Sequence, residues 1–363
     1  MAGLGRLAAF IAGSALVFVV LLSAIKTVIL PRGEPVLLTR TVFVSIRSIF
    51  NLWVRRAKTY EERDRSFAMF SPVALVMLPG VWVALVMIGF TGILWALGVD
   101  PLQEAFYLSG SSLLTLGFEP APSLVTHLAA FVEAALGLGL IALLISYLPS
   151  IYSAFQRREL LVARLTTRAG EPASAMKMIR RHHELNRLEA LDDLWDDWET
   201  WFADVEETHT SQPSLVFFRS ISHTRSWIAA AGVILDTASL RASTLRLPPN
   251  AQAQLCIRSG YLCLRRIADY FSIPNDHDPR PDDPISIDRS EFEAAYDEMA
   301  SIGVPLRPDR EACWRDYQGW RVNYDTVLIT LAGLTMAPYA PWVSDRSLPY
   351  HRPPLTRRRI ARR

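Results

Sequence analysis

Cysteine is scarce in these 363 residues: there are three, too few for a disulfide framework. Cys256 and Cys263 lie seven positions apart on one predicted helix, a spacing that cannot be bridged. Charge is also thin, at 20% against about 25% in an ordinary soluble protein. Its balance of 38 Lys+Arg against 36 Asp+Glu leaves only +2, with no global field to draw nucleic acid. These shortages argue against a secreted disulfide scaffold, a disordered tail protein and a nucleic-acid binder. No phosphate-binding loop or strand–glycine–helix unit is present either, so no nucleotide-binding domain is visible. What the chain has instead is apolar mass: half its residues are hydrophobic and its mean hydropathy is +0.18. That mass is concentrated in the first part, and the remainder is polar with near-balanced charge.

Three stretches reach the roughly 20 residues that a bilayer demands. The first runs from Leu7 to Ile25. It exceeds the roughly 7–15 residues of a signal-peptide core and shows no clear cleavage pattern near Lys26, so a retained span is preferred to a cleaved signal. The second, about Phe70 to Leu97, sits in a segment without any charge between Arg65 and Asp100. The third, about Leu124 to Leu148, is interrupted only by Glu133. Arginines orient the set. Arg32, Arg40, Arg47, Arg55, Arg56, Lys58, Arg63 and Arg65 follow the first span, and Arg157, Arg158 and Arg164 follow the third. Asp100 to Ser123 holds no Lys or Arg. The positive-inside rule therefore places that segment and the short N-terminus outside, opposed only by Arg6, and both basic segments in the cytoplasm of a cell (inner) membrane protein.

Pro35 to Arg56 reads differently. Leu38, Val42, Phe43, Ile46, Ile49, Phe50 and Trp53 recur at helical spacing, with Arg40, Arg47, Ser48, Asn51 and Arg55 mostly elsewhere. This pattern predicts a basic amphipathic helix at the inner headgroup level, or else a core helix of a cytoplasmic domain.

Between the second and third spans lies PLQEAFYLSGSSLLTLGFEPAPS, Pro101 to Ser123. Pro101 is suited to opening a helix, and Leu102 to Leu113 is too short to cross a bilayer. A re-entrant helix followed by a loop is the expectation, since irregular backbone at membrane depth must line a cavity or be buried in protein.

Thr115, Leu116, Gly117 and Phe118, placed after that helix, resemble the filter of tetrameric pore-loop cation channels with two spans around the loop. In potassium channels the signature reads Thr-Val-Gly-Tyr-Gly-Asp. The resemblance implies that the main-chain oxygens of Thr115 to Phe118 replace an ion's water shell, with Gly117 supplying a positive φ. It also implies that Leu116 and Phe118 turn outward to wedge the loop against the pore helix. Glu119 stands where the second glycine would be and Pro120 where the aspartate would be. A glutamate holding the glycine geometry costs roughly 1–2 kcal/mol, so strict potassium selectivity is in doubt. Four copies of Glu119 would ring the outer mouth, concentrate cations and make conduction sensitive to external acid.

Glu133 and Gly137, in the returning span, fit the same picture. An ionisable group inside a span is a functional candidate, and the resemblance implies a bracing hydrogen bond behind the filter. The alternative is a helix-end carboxylate reaching headgroup water. Gly137 and Gly139 suit a bend or a close helix contact, and Pro149 a terminus or a gating kink.

Beyond Arg157 the periodicity predicts helices throughout: Met176 to about Glu207, Pro213 to about Arg246, Ala251 to Tyr270, Ser290 to about Ile302 with Glu293 completing a capping box, and Pro308 to about Met336. The uncharged stretch Thr326 to Val343, shortened by Pro338 and Pro341, reads as a buried helix rather than a further span. The segment His209 to Asp236, with Phe217-Phe218-Arg219-Ser220 and Ser226-Trp227, is similar to the helical tail of an uncharacterised bacterial branch of pore-loop proteins. Arg357, Arg358, Arg359, Arg362 and Arg363 form a basic tail suited to anionic lipid.

Other patterns carry no site. His182-His183-Glu184 lacks the H-E-x-x-H spacing of a zinc helix, because adjacent histidines point apart, and is expected on a solvated face. Asp276, His277, Asp278, Asp282 and Asp283 are expected in a solvated proline-rich loop. Gly137 and Gly139 follow no strand and form no dinucleotide fingerprint.

The expectation is an all-α membrane protein with three transmembrane helices, a re-entrant pore helix and filter loop, and an all-helical cytoplasmic domain. Residues 1–34 hold the first span, 35–65 the amphipathic helix and linker, 66–156 the pore domain, 157–343 the helical domain and 344–363 the tail. The function read from it is a homotetrameric channel for monovalent cations, potassium foremost. Its partners would be its own copies and the bilayer, with no nucleic acid, no cofactor beyond the permeant cation, no resident metal and no catalysis. The cytoplasmic ligand is left unnamed. The rival is a membrane-anchored helical scaffold whose outer loop is incidental; a membrane enzyme with Glu133 or His127 as base stands a distant third.

Overall fold

A computed structural model describes residues 2–29, 36–54 and 59–346. Arg32, Pro35, Arg55, Arg56, Lys58 and the basic tail beyond Arg346 lie outside the described residues. Within them every named element is a helix, and a single β-bridge joins Leu245 to Leu306. The chain divides into two compact units, Met1–Ser153 and Ala154–Arg363.

The first unit holds α1 (Ala2–Val28), α2 (Leu37–Val54), α3 (Tyr60–Ala68), α4 (Phe70–Ala96), α5 (Leu102–Leu113) and the start of α6 (Leu124–Ala169). Four stretches among the described residues are long and apolar enough to cross a membrane: Gly3–Val28, Leu37–Val54, Tyr60–Ala96 and Leu124–Ala169. The expected three are among them. The fourth, α2, is the least apolar and is the helix expected at headgroup level.

α1 runs antiparallel to α4, and small residues let the two backbones approach. A Cβ on Gly13 would stand 2.4 Å from the Gly89 carbonyl oxygen, and one on Gly92 would stand 3.3 Å from that of Ala9. At the same end Arg6 pairs with Asp100 at 2.6 Å and lies over the Trp95 ring. This exposed pair sets the start of α1 beside the entry to α5, and so gives Arg6 a partner there. α2 packs at the opposite end: Thr39 bonds Thr27 at 2.8 Å, while Phe43 and Phe50 meet Phe70 edge-on. Ile49 and Trp53, both on the apolar stripe of α2, are exposed in the single chain. α6 passes through Pro149 and continues to Ala169, so that proline does not end the helix. It only removes the amide that would bond the Ile145 carbonyl.

The second unit contains the end of α6, then α7 (Ala175–Glu184), α8 (Trp195–Ser211), α9 (Trp227–Ser243), α10 (Ala251–Tyr270), α11 (Arg289–Ser301), α12 (Arg310–Arg321) and α13 (Asp325–Thr335). Short 3₁₀ turns cover Leu188–Leu194, Pro213–Phe217 and Ser344–Arg346. α9 is apolar nearly all round and buried nearly all round, which makes it the central post against which α7, α10, α12 and α13 pack. At 11 residues α13 is too short to span a bilayer and lies in this core.

Several predicted helices are divided. Met176 to Glu207 breaks after α7, where Asn186 adopts φ +54° and the Arg187 amide reaches back to the His182 carbonyl. The run from Pro213 is a 3₁₀ turn and a loop before α9 begins at Trp227. The last long helix becomes α12 and α13. The capping box lies two residues earlier than expected, with Asp288 as N-cap and Glu291 at N3. His182 corrects the solvated-face reading: it is buried, with Nδ1 2.8 Å from the Met178 carbonyl, while His183 turns toward the Ile302 carbonyl. Arg158 is likewise no free basic charge. It is wholly buried, with Nη1 2.8 Å from the Leu215 carbonyl and 3.1 Å from His209 Nε2, and with Nη2 2.7 Å from the Phe218 carbonyl.

Candidate functional site

The predicted pore helix is α5 itself, Leu102–Leu113. Ala105, Leu108, Ser109, Ser111 and Leu113 face inward. Ala105 and Leu108 pack with Leu94 and Val99 at the end of α4 and its exit turn. The helix closes with a left-handed residue. Thr115 has φ +56°, its amide bonds the Ser112 carbonyl at 3.0 Å, and the Leu116 amide bonds the Ser111 carbonyl at 2.8 Å. These two bonds form a Schellman cap with threonine at the position that glycine usually takes, at a cost of about 1–2 kcal/mol. Gly117 also has positive φ, +69°, as its residue type allows. Glu119 has none, so the conformational cost assigned to it above falls on Thr115.

All the amides from Leu114 to Glu119 turn back to the end of α5. Leu114 bonds the Gly110 carbonyl at 3.1 Å, and Gly117 bonds that of Ser111 at 3.2 Å. Phe118 and Glu119 both donate to the Ser111 hydroxyl, at 3.0 and 3.1 Å. Among the described residues no protein donor reaches the carbonyls of Thr115 to Phe118. The loop thus spends its donors on the helix and keeps a run of free main-chain oxygens. The side chains of Leu116 and Phe118 do not wedge against α5; each is 62% exposed in the single chain.

Behind the loop, Glu133 is fully buried and its Oε1 lies 2.5 Å from Ser109 Oγ, which is also 3.0 Å from the Met87 carbonyl. The headgroup alternative for Glu133 does not hold in this arrangement. Its second oxygen, Oε2, has no partner among the described residues. One serine thereby joins α4, α5 and α6. Four residues on along both helices, Leu113 ends α5 against Gly137: a Cβ there would stand 2.1 Å from the Leu113 carbonyl oxygen. Gly139 has nothing within 4 Å of such an atom, so the close contact belongs to Gly137 alone. His127 is exposed and bonds the Ser123 carbonyl of its own turn; it is not brought to Glu133.

Ser109 and Ser111 are absent from the sequence-based site. Their signal was the Ser-Gly-Ser-Ser run closing α5, a run of small polar residues on a helix otherwise rich in apolar ones. The Asp276–Asp283 loop is braced through its backbone, by Arg265 on the His277 carbonyl and Gln318 on the Asp282 and Asp283 carbonyls. Among the described residues no group of His, Cys, Asp or Glu is arranged to hold a metal ion. The chain matches no protein-family model, no curated protein and no solved structure.

Proposed function

We propose that the chain is a homotetrameric channel for monovalent cations, potassium foremost but not strictly selected, with the loop Thr115 to Phe118 as its filter. Three spans (α1, α4 and the first part of α6) cross the membrane, α2 lies at the inner headgroups, and α5 with its loop re-enters from outside. The second unit is cytoplasmic. The observation that carries the reading is the inward turn of every amide from Leu114 to Glu119, which leaves the carbonyls of Thr115 to Phe118 unbonded. A cation stripped of water needs such oxygens, and four copies around an axis supply them in rings. Glu119 adds a ring of carboxylates at the mouth. Glu133 and Gly137 support the filter from behind, and Pro149 marks a place where α6 can bend as a gate.

Gly117→Ala tests the proposal in full-length protein reconstituted into liposomes. Potassium flux present in the wild type and lost in an assembled variant is the expected result, because alanine at φ +69° displaces the oxygens on either side. Flux absent from the wild type favours the membrane-anchored scaffold, and flux equal in both proteins removes Gly117 and its loop from the conduction path.

A further inference from the structure

Ser111 receives more of the loop than any other residue. Its carbonyl takes the amides of Leu116 and Gly117, and its hydroxyl takes those of Phe118 and Glu119. The side chain is buried, and among the described residues its own proton is given to no protein acceptor. The hydroxyl therefore acts here purely as an acceptor for two consecutive amides. Consecutive peptide units alternate in direction along an extended chain, so holding both amides on one atom folds Phe118 and Glu119 around it. That fold in turn fixes where the Gly117 and Phe118 carbonyls point, since each belongs to the same peptide plane as the amide that follows.

Nothing else among the described residues holds the Phe118 and Glu119 amides. The inner half of the loop is secured by main-chain carbonyls, which no substitution removes. The outer half hangs on one side-chain oxygen, the part of the loop that a sequence change can loosen.

We propose that Ser111 is the positioning residue of the loop: its hydroxyl fixes the outer two peptide planes and thereby sets which monovalent cation passes. The inference rests on the channel reading for its ionic half and on the hydrogen bonds for its structural half. The test compares wild type, Ser111→Ala and Ser111→Thr as full-length protein in liposomes. Two quantities are read: amide hydrogen exchange at Phe118 and Glu119, and the potassium-to-sodium permeability ratio from reversal potentials. In S111A exchange at both amides is expected to rise at least tenfold and the ratio to change at least threefold. S111T, which keeps the hydroxyl, is expected to restore both. Unchanged exchange in S111A overturns the proposal, as does faster exchange with an unchanged ratio in a conducting protein, which would reduce Ser111 to a structural bond. A wild type that passes no current overturns the channel reading together with the ionic half. A conducting wild type with an indifferent S111A overturns this inference alone.

Discussion

At the scale of single residues, the sharpest constraint is Gly137. Its α-carbon faces a carbonyl oxygen at the end of α5, and a peptide oxygen in a capped helix has nowhere to retreat. Gly137→Ala should push α6 off α5, at no less than the roughly 1–3 kcal/mol typical of overpacking. Thermal unfolding in detergent is expected to show the lower midpoint, with Gly139→Ala close to wild type as the control. The contrast between the two glycines was invisible in the sequence, where both sit in the same apolar run. What separates them is which face α5 meets, a tertiary fact. The glycine–threonine exchange of roles at the loop has a similar origin. Gly117 was legible because positive φ has a residue preference, whereas Thr115 takes its conformation from the helix cap against its own preference. The serines that organise the loop were passed over for a different reason: hydroxyls carry no periodic signal, and their partners are backbone atoms.

At the scale of elements, boundaries marked by composition were readable. The end of charge after Arg65 and the proline at 101 place α4 and α5. Breaks imposed by long-range contacts were not. α12 and α13 part at Val322–Tyr324 without glycine or proline, because Arg265 holds the Asn323 carbonyl at 2.9 Å and its side-chain oxygen at 3.1 Å. Just before that break Arg321, wholly buried, reaches Asp236 on α9, Asp325 on α13 and the Trp342 carbonyl. Burial alone would lower the Arg321 pKa, but the two facing carboxylates outweigh it and hold the guanidinium well above its ordinary range. Tyr324 and Ser286 supply further hydrogen bonds to the same carboxylates. Arg321→Ala would leave Asp236 buried without its counter-charge, at a cost of about 3–5 kcal/mol. Arg321→Met with Asp236→Leu and Asp325→Asn, which removes the guanidinium and both carboxylate charges together, should be markedly milder. Chemical denaturation of the three proteins checks the order.

At the scale of the whole molecule, acid is the informative perturbation. His209 is held well below its ordinary pKa of 6.5, first by burial and then by the Arg158 guanidinium against its ring. His182 is lowered too, first by burial and then by Arg168, Arg187 and Arg181, only partly offset by its bond to the Met178 carbonyl. An unfolded chain takes up these protons near pH 6.5, and the folded one refuses them. Stability owed to the two rings is therefore complete above about pH 6.5 and declines as the pH falls below it. Unfolding midpoints measured from pH 8 to pH 5 should fall on the acid side, and His209→Gln should flatten that fall.

Burial of Cys256, Cys263 and Cys313 has a practical reach. Each thiol is pushed above its ordinary pKa, by desolvation before anything else, and stays out of solvent. The native chain is thus its own silent background for thiol-directed probes. A cysteine introduced at the 97% exposed Ile221 would take a maleimide fluorophore or spin label alone, so the proposed assembly can be tested by distance measurements without first stripping the natural cysteines.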